Sequence, residues 1–327
     1  MGEIKGIHHV TAITSSAKDI YQFFTYTLGM RLVKKTVNQD DIRTYHLFFA
    51  DDVGKPGTSI TFFDFPGIPK GSHGNNEIYR ISFRVPNNEA LDYWLRRFQR
   101  LKVKHEGIKV LFGKKVLPFT DFDNQQYQLI SDEDDNGCAP GIPWKKGPIP
   151  DEYAIIGLGP VLIRVEQYGY LKEVLGNVLK FTEIDQQGSL YLFETGEGGN
   201  GARVIVEENE FLPPAKHGYG TVNNVAFYVE SKDSLEEWDI RYRRFGLSTS
   251  GTIDRYFFHS LYTRVAPQIL FELATHGPGF MEDEDYETLG EKLSLPPFLE
   301  DQRSYVESKL KYIDTVRSNK TIQKEYE

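Results

Sequence analysis

Four short stretches along the chain share a pattern of branched and aromatic residues broken by single polar positions: Ile7-His8-His9-Val10-Thr11-Ala12-Ile13, Tyr79-Arg80-Ile81-Ser82-Phe83-Arg84-Val85, Gly159-Pro160-Val161-Leu162-Ile163-Arg164-Val165 and Asn223-Asn224-Val225-Ala226-Phe227-Tyr228-Val229. Partial alternation of this kind predicts β-strands. Soon after each comes a helical spacing of apolar positions, over 17–28, 88–101, 168–179 and 232–245. In the first of these, Ile20, Phe23, Phe24 and Leu28 recur at three- and four-residue intervals and turn one face inward. Further strand-like stretches follow the helices: 45–50 and 59–65, then 127–131, then 190–194 and 203–207, and finally 260–264 and 268–274. The recurring unit is βαβββ, and a repeat of this kind specifies the fold before any single element does.

Between the second and third units, the charge run Asp132-Glu133-Asp134-Asp135 gives way to turn formers such as Gly137, Pro140, Gly141 and Pro143, which reads as a linker. The expected class is α+β: four tandem βαβββ modules forming two domains of open mixed β-barrel, plus a C-terminal helical tail. The first pair of modules spans 1–135, the linker 136–152, the second pair 153–280 and the tail 281–327. Within the tail, Leu295-Pro296-Pro297-Phe298 precedes an expected helix from 300 to about 316, and the polar residues 318–327 are expected to fray. The glycine-rich stretch 196–201 lacks a following helix and a Lys-Ser/Thr pair, so it reads as a hairpin loop and not a phosphate cradle.

A length of 327 residues suits two domains with room for a sizeable pocket. With 38 basic against 47 acidic residues the chain carries a net charge of -9, which repels phosphate backbones and argues against nucleic acid as a partner. Cys138 is the single cysteine, so an intramolecular disulfide and thiolate-clustered metal sites are excluded, as suits a reducing cytoplasm. Neither a signal-peptide pattern nor an apolar run of about 18 residues occurs, so a cytoplasmic protein without a membrane partner is expected. No GxSxG elbow supports a serine hydrolase.

Chemistry concentrates in a few positions. Glu272 lies in Gln268-Ile269-Leu270-Phe271-Glu272-Leu273-Ala274, where a buried carboxylate needs a cation, whether an arginine or a metal, unless it faces solvent at an edge. Adjacent strand residues point to opposite faces, so only one of His8 and His9 is expected to enter a given pocket. Registering the four opening strands on the residue before Val or Ile places His9, Arg80, Pro160 and Asn224 in equivalent positions. His9 is therefore the better ligand candidate, against the alternative of a hydrogen-bonded histidine at the rim.

The opening Gly6-Ile7-His8-His9-Val10-Thr11-Ala12-Ile13 resembles that of the hydroquinone-type ring-cleaving dioxygenases of the vicinal oxygen chelate (glyoxalase/bleomycin resistance/extradiol dioxygenase) superfamily. The resemblance extends through Leu28-Gly29-Met30-Arg31-Leu32-Val33-Lys34-Lys35-Thr36-Val37-Asn38, Thr44-Tyr45-His46-Leu47-Phe48-Phe49 and Leu270-Phe271-Glu272-Leu273-Ala274-Thr275, to Leu295-Pro296-Pro297-Phe298-Leu299. It implies an oxidoreductase of aromatic compound degradation that opens a hydroquinone-like ring with O2. Fe(II) is the implied metal, with Mn(II) or Zn(II) as alternatives, held by His9, position 224 and Glu272. It also implies catalytic roles for His8, Thr11, Arg255 and Tyr262, with Asn223 and His46 in the substrate pocket between the first and fourth modules. Phe48, Phe62 and Phe227 are candidates for a slot around a flat ring.

The chain departs from the family pattern at Val222-Asn223-Asn224-Val225, where a His-His pair is implied. A neutral amide is a poorer ligand for Fe(II) than imidazole, so metal is expected to bind weakly or to be absent unless His46 or His217 substitutes. Three readings stand at this point: an impaired Fe(II) dioxygenase, a glyoxalase-like metal lyase or isomerase, and an inactive protein that binds an aromatic or quinone. A small aromatic and O2 are the expected partners, and a homodimer is compatible with the sequence.

Overall fold

The computed structural model describes residues 2–326, and its elements follow the repeat. The first unit comprises β1 (Gly6–Ile13), α1 (Ala17–Gln22), β2 (Arg31–Asn38), β3 (Asp41–Ala50) and β4 (Ser59–Phe63). The second comprises β5 (Glu77–Val85), α2 (Asn88–Leu101), β6 (Lys109–Leu111), β7 (Lys114–Thr120) and β8 (Gln126–Ser131). The third comprises β9 (Gly157–Val165), α3 (Tyr168–Glu173), β10 (Thr182–Gln187), β11 (Leu190–Glu194) and β12 (Arg203–Glu208). The fourth comprises β13 (Thr221–Val229), α4 (Lys232–Arg244), β14 (Thr249–Asp254), β15 (His259–Ala266) and β16 (Ile269–Thr275).

Local chemistry starts the helices where the periodicity places them. The side chains of Ser16, Asn87 and Ser231 accept hydrogen bonds from the backbone N–H groups of Asp19, Ala90 and Ser234, capping α1, α2 and α4. The expected helices at 17–28 and 168–179 each finish as a π-turn, over Phe23–Thr27 and Val174–Val178. The first π-turn delivers Phe24 to the core, where its ring centroid lies 5.0 Å from that of Phe62 on β4 and 6.0 Å from those of Phe83 on β5 and Tyr127 on β8. The glycine-rich segment connects β11 to β12 as a hairpin, as its composition implies.

The strands form two eight-stranded mixed sheets, ordered β14-β15-β16-β13-β1-β4-β3-β2 and β10-β11-β12-β9-β5-β8-β7-β6. The sheets therefore join the first unit to the fourth and the second to the third, instead of pairing the first with the second and the third with the fourth. Residues 136–152 link two modules of one sheet. The joints are antiparallel pairings of opening strands, β1 with β13 and β5 with β9. Edge strands β10 and β14, Thr-Glu-Ile-Asp-Gln-Gln and Thr-Ser-Gly-Thr-Ile-Asp, carry almost no apolar signal, as expected of sheet edges protected by polar side chains.

The tail corrects two expectations. In place of one helix over 300–316 there are two short ones, α5 (Pro297–Glu300) and α6 (Arg303–Lys309), after which the chain runs extended. It does so because β2 and β3 offer partners: the hydroxyl of Tyr45 donates to Lys311 O at 2.9 Å, and Lys35 Nζ donates to Thr315 Oγ1 at 2.7 Å. The fully buried Lys34 binds Asp283 at 2.6 Å and also Glu284, drawing the acidic stretch back onto β2. Nor does the terminus fray through Tyr326, residue 327 lying outside the described residues. Glu325 accepts hydrogen bonds at 2.6 Å from both Arg97 and Arg100, and Lys324 Nζ donates to Trp144 O and Ile149 O at 3.1 and 2.8 Å.

A carboxylate-rich turn between β7 and β8 holds the end of β1. Asp123 accepts from Ser15 N, Thr14 Oγ1 and Ser15 Oγ at 2.8, 2.9 and 2.6 Å. Beside it, Asp121 accepts from Tyr127 OH at 2.9 Å, and burial pushes its carboxyl from 3.8 up to about 7, reinforced by the Asp123 charge. Because the folded-state value is raised, its contribution to stability is fully present below about pH 4 and is lost as pH rises through about 7. Asp121→Asn keeps an oxygen to accept from the backbone N–H groups of Asp123 and Gln125, which donate to Asp121 Oδ1 at 2.9 and 3.0 Å, while staying neutral. The variant's stability relative to the parent is therefore expected to improve by at least about 1 kcal/mol between pH 4 and pH 8 in urea unfolding. A constant difference across that range would refute the assignment.

Candidate functional site

The β1–β13 ladder sets the site. Val10 pairs with Val225, His9 with Ala226 and Thr11 with Asn224. Parallel pairing then brings Glu272 of β16 beside Ala226, and Tyr262 of β15 lies opposite Glu272. On the other flank Thr61 of β4 lies beside Thr11, and Phe48 of β3 beside Thr61. One face of one sheet thus carries His9, Thr11, Asn224, Glu272, Tyr262, Thr61 and Phe48, and these residues come from both terminal modules.

The ladder slips twice, between Ile7 and His9 and between Thr11 and Ala12. His8 is the extra residue of the first bulge and Asn223 that of the second, at matching places in the two modules. Bulges bring neighbouring side chains toward one face. Consequently His8 Nδ1 lies 2.8 Å from His9 Nδ1, and Asn223 Nδ2 donates to Asn224 Oδ1 at 2.9 Å. The expectation that adjacent histidines separate to opposite faces fails here for that reason. His8 nonetheless lies outside the cavity lining and stands behind His9.

Hydrogen-bond logic fixes the protons. His8 Nε2 lies 3.0 Å from the carbonyl oxygen of Thr275, which only accepts, so that nitrogen carries the hydrogen. Burial, followed by the neighbouring His9, pushes the His8 imidazole well below its ordinary value, so it is neutral and its Nδ1 is a bare acceptor. His9 must then donate from Nδ1, which leaves Nε2 with its lone pair directed at Glu272 Oε2, 3.3 Å away. Glu272 is itself 1% exposed, accepting from Ser260 Oγ at 2.6 Å through Oε1 and from Asn224 Nδ2 at 2.8 Å through Oε2. Two buried acceptors facing each other call for a cation between them, a proton or a metal ion.

These groups form the base of a cavity of about 250 Å³ lined also by Thr11, Asn223, His46, Phe48, Phe257, Phe258, Arg255 and Tyr262. Arg255 sits over the Tyr262 ring with its guanidinium carbon 5.4 Å from the centroid, and pairs with Asp40 at 3.1 Å. Burial, then the negative charge of Glu272, pushes the Tyr262 phenol upward, so it stays protonated as a donor. Of the remaining candidates, Phe62 and Phe227 lie in the hydrophobic core, and His217 points to Gln268 O at 3.4 Å away from the cavity. Phe257 and Phe258, which sequence reasoning missed, reach the cavity from the β14–β15 connection, where no periodic pattern marks them.

Residues 6–124 match the family described as the Glyoxalase/Bleomycin resistance protein/Dioxygenase superfamily. MhqA of Bacillus subtilis (strain 168), named as a putative ring-cleaving dioxygenase, is 43% identical over 316 residues, covering 95% of this chain and 99% of its own. The chain belongs to this superfamily. The chlorohydroquinone/hydroquinone 1,2-dioxygenase of Sphingobium indicum (strain DSM 16413 / CCM 7287 / MTCC 6362 / UT26 / NBRC 101211 / UT26S) is 29% identical over 308 residues, covering 91% of this chain and 93% of its own. A crystal structure of a dioxygenase so named from Bacillus subtilis subsp. subtilis str. 168 superposes with a TM-score of 0.88 at 30% identity, covering 97% of this chain and 99% of that one.

Members of the superfamily are metal-dependent. Among the described residues, no three His, Cys, Asp or Glu side chains converge. His9 and Glu272 fit a divalent cation, and the third position belongs to Asn224, which now turns its NH2 toward Glu272 and its oxygen toward Asn223. Ligation by Asn224 would require that amide to rotate. Replacing His8 by Phe removes the acceptor that orients His9 Nδ1–H and is expected to lower divalent-metal affinity roughly 10-fold or more, measured by competition with a chromogenic chelator. Unchanged affinity would show that the His8 contact does not govern the ligand.

Proposed function

We propose that this chain is a ring-cleaving dioxygenase for a hydroquinone-like aromatic, with His9 and Glu272 holding Fe(II) and Asn224 completing the set through its amide oxygen. The observation that carries the reading is the pair of facing acceptors, His9 Nε2 and Glu272 Oε2, at the base of an aromatic-walled cavity. The similarity to a relative named for hydroquinone cleavage supports the substrate class. Mn(II) and Zn(II) match the same donors, but ring opening by O2 calls for a redox-active ion, which Fe(II) and Mn(II) are and Zn(II) is not. Fe(II) held by these residues would supply the redox chemistry that lets the ring react with O2.

The chain's own residues supply the rest. Ser260 holds the Glu272 carboxylate in place, and the His8 relay holds the His9 ring. The protonated Tyr262 phenol would donate a hydrogen bond to a substrate oxygen, and Arg255 would set a positive charge where negative charge develops on the ring. Phe48, Phe257 and Phe258 exclude water from the ring and favour a flat apolar ligand. A reducing cytoplasm suits the single free thiol of Cys138. No helix among the described residues is long and apolar enough to cross a membrane.

A second reading, binding without turnover, draws on the Asn224 amide, which donates to Glu272 and leaves the site one ligand short. Protein loaded anaerobically with Fe(II) and mixed with aerated methylhydroquinone is expected to take up O2 and yield a ring-opened product, and Glu272→Ala is expected to abolish both. Asn224→His is expected to tighten metal roughly tenfold or more. Uptake by Asn224→His alone would decide for the binding reading.

A further inference from the structure

The cavity has a second polar end. His46 on β3 lies two strands beyond β1, on the flank away from Glu272, and lines the same cavity as His9. Its ring is held between Phe48 and Phe63, with centroids 4.0 and 4.3 Å away, so the directions of its two nitrogens are fixed. Nε2 lies 2.9 Å from Thr61 Oγ1, and that hydroxyl spends its single hydrogen on Thr11 Oγ1 at 3.1 Å. His46 therefore donates from Nε2. Burial, then His9 and Arg255, pushes the imidazole well below its ordinary value, so the ring is neutral and Nδ1 keeps a bare lone pair.

Among the described residues, that Nδ1 has no hydrogen-bond partner. Neighbouring polar side chains at this end turn to one another: Gln39 Nε2 donates to Arg255 O at 2.9 Å, Asp40 pairs with Arg255, and Asn38 Oδ1 accepts from Asp40 N at 2.8 Å. The hydroxyl of Thr36, cross-strand neighbour of His46 and part of the same lining, is buried without a partner. An unpartnered acceptor on a rigid ring that lines the cavity, flanked there by Phe48, Phe63 and Phe65, is a complement for a ligand hydroxyl.

We propose that His46 determines specificity: its Nδ1 accepts a hydrogen bond from the second hydroxyl of a para-dihydroxylated ring whose first oxygen lies beside His9 and Glu272. The inference rests on the ring-cleavage reading of this cavity and deepens it. A ring anchored at the Glu272 end projects its para position toward β3. The two oxygens of a catechol, being adjacent, would both lie at the Glu272 end and leave His46 unanswered. A site built around a ligand hydroxyl rejects an analogue lacking it, because the protein acceptor is then buried without a partner.

The test is anaerobic calorimetric binding of hydroquinone and of 4-methylphenol, which replaces the second hydroxyl by a methyl group of similar size, to the full chain loaded with Fe(II). The parent is expected to bind hydroquinone about tenfold or more tighter than 4-methylphenol. His46→Phe is expected to erase that preference by weakening hydroquinone alone, and His46→Gln, whose amide oxygen still accepts, to restore part of it. Should His46→Phe not fold, the partial loss in His46→Gln carries the test. Equal affinities in the parent, no binding of hydroquinone, or an undiminished preference in the variants would overturn the proposal. O2 uptake on the same samples separates the two ideas. Uptake with an unchanged preference in the variants removes the role of His46 and leaves ring cleavage standing, whereas a His46-dependent preference without uptake does the reverse.

Discussion

The antiparallel ladder between β1 and β13 is the constraint on which the molecule's chemistry depends. It joins two modules separated by most of the chain, and its register alone decides that His9, Asn224 and Glu272 share a face. A slip of β1 by one residue would turn His9 to the face opposite Asn224 and Glu272. The two bulges pin the register and pull His8 and Asn223 next to the residues they orient. Positioning here is done by backbone pairing in a sheet, which is stiffer than a loop and suits a site that must hold facing acceptors a few ångströms apart.

The second sheet shows what the same architecture becomes without those side chains. Its joint pairs Arg80 with Leu162, as the first pairs His9 with Ala226, and Leu162 in turn lies beside Ile205. By that correspondence Ile205 stands where the first sheet has Glu272, Leu192 where it has Tyr262, and Pro160 where it has Asn224. Tyr79, Leu162, Leu192 and Ile205 pack together as a buried apolar cluster. The repeat therefore supplies two equivalent sheet faces, and side-chain chemistry alone leaves one hollow and polar and fills the other.

The repeat was legible because opening strands and helices each bury an apolar stripe, so their periods survive in the sequence: α2 matches its expected bounds, and the four opening strands begin within two residues of theirs. The equivalence of His9, Arg80, Pro160 and Asn224 was legible too, since it follows from aligning the repeats. Polar edge strands such as β10 and β14 were not, because nothing buries them. The bulges were not, because an extra residue leaves no mark on local alternation. Nor was the docked tail: Lys324, Glu325 and the 310–316 segment owe their conformations to carbonyls and charges distant in sequence, on Trp144, Arg97 and Lys35. The Phe257 and Phe258 walls and the bare nitrogen of His46 likewise depend on partners that only the folded sheet assembles.

The two bulged pairs also explain what an asparagine does at position 224. On β1 the relay runs from His9 Nδ1–H to His8 and on to Thr275 O, ending with a bare nitrogen toward the centre. On β13 the relay runs the other way: Asn223 donates to Asn224, and Asn224 donates to Glu272. An amide carries donor and acceptor together, so the backbone geometry that turns the bare nitrogen of His9 toward the centre makes Asn224 a donor there. That donor shares Glu272 with Ser260, and the carboxylate is fixed through both of its oxygens.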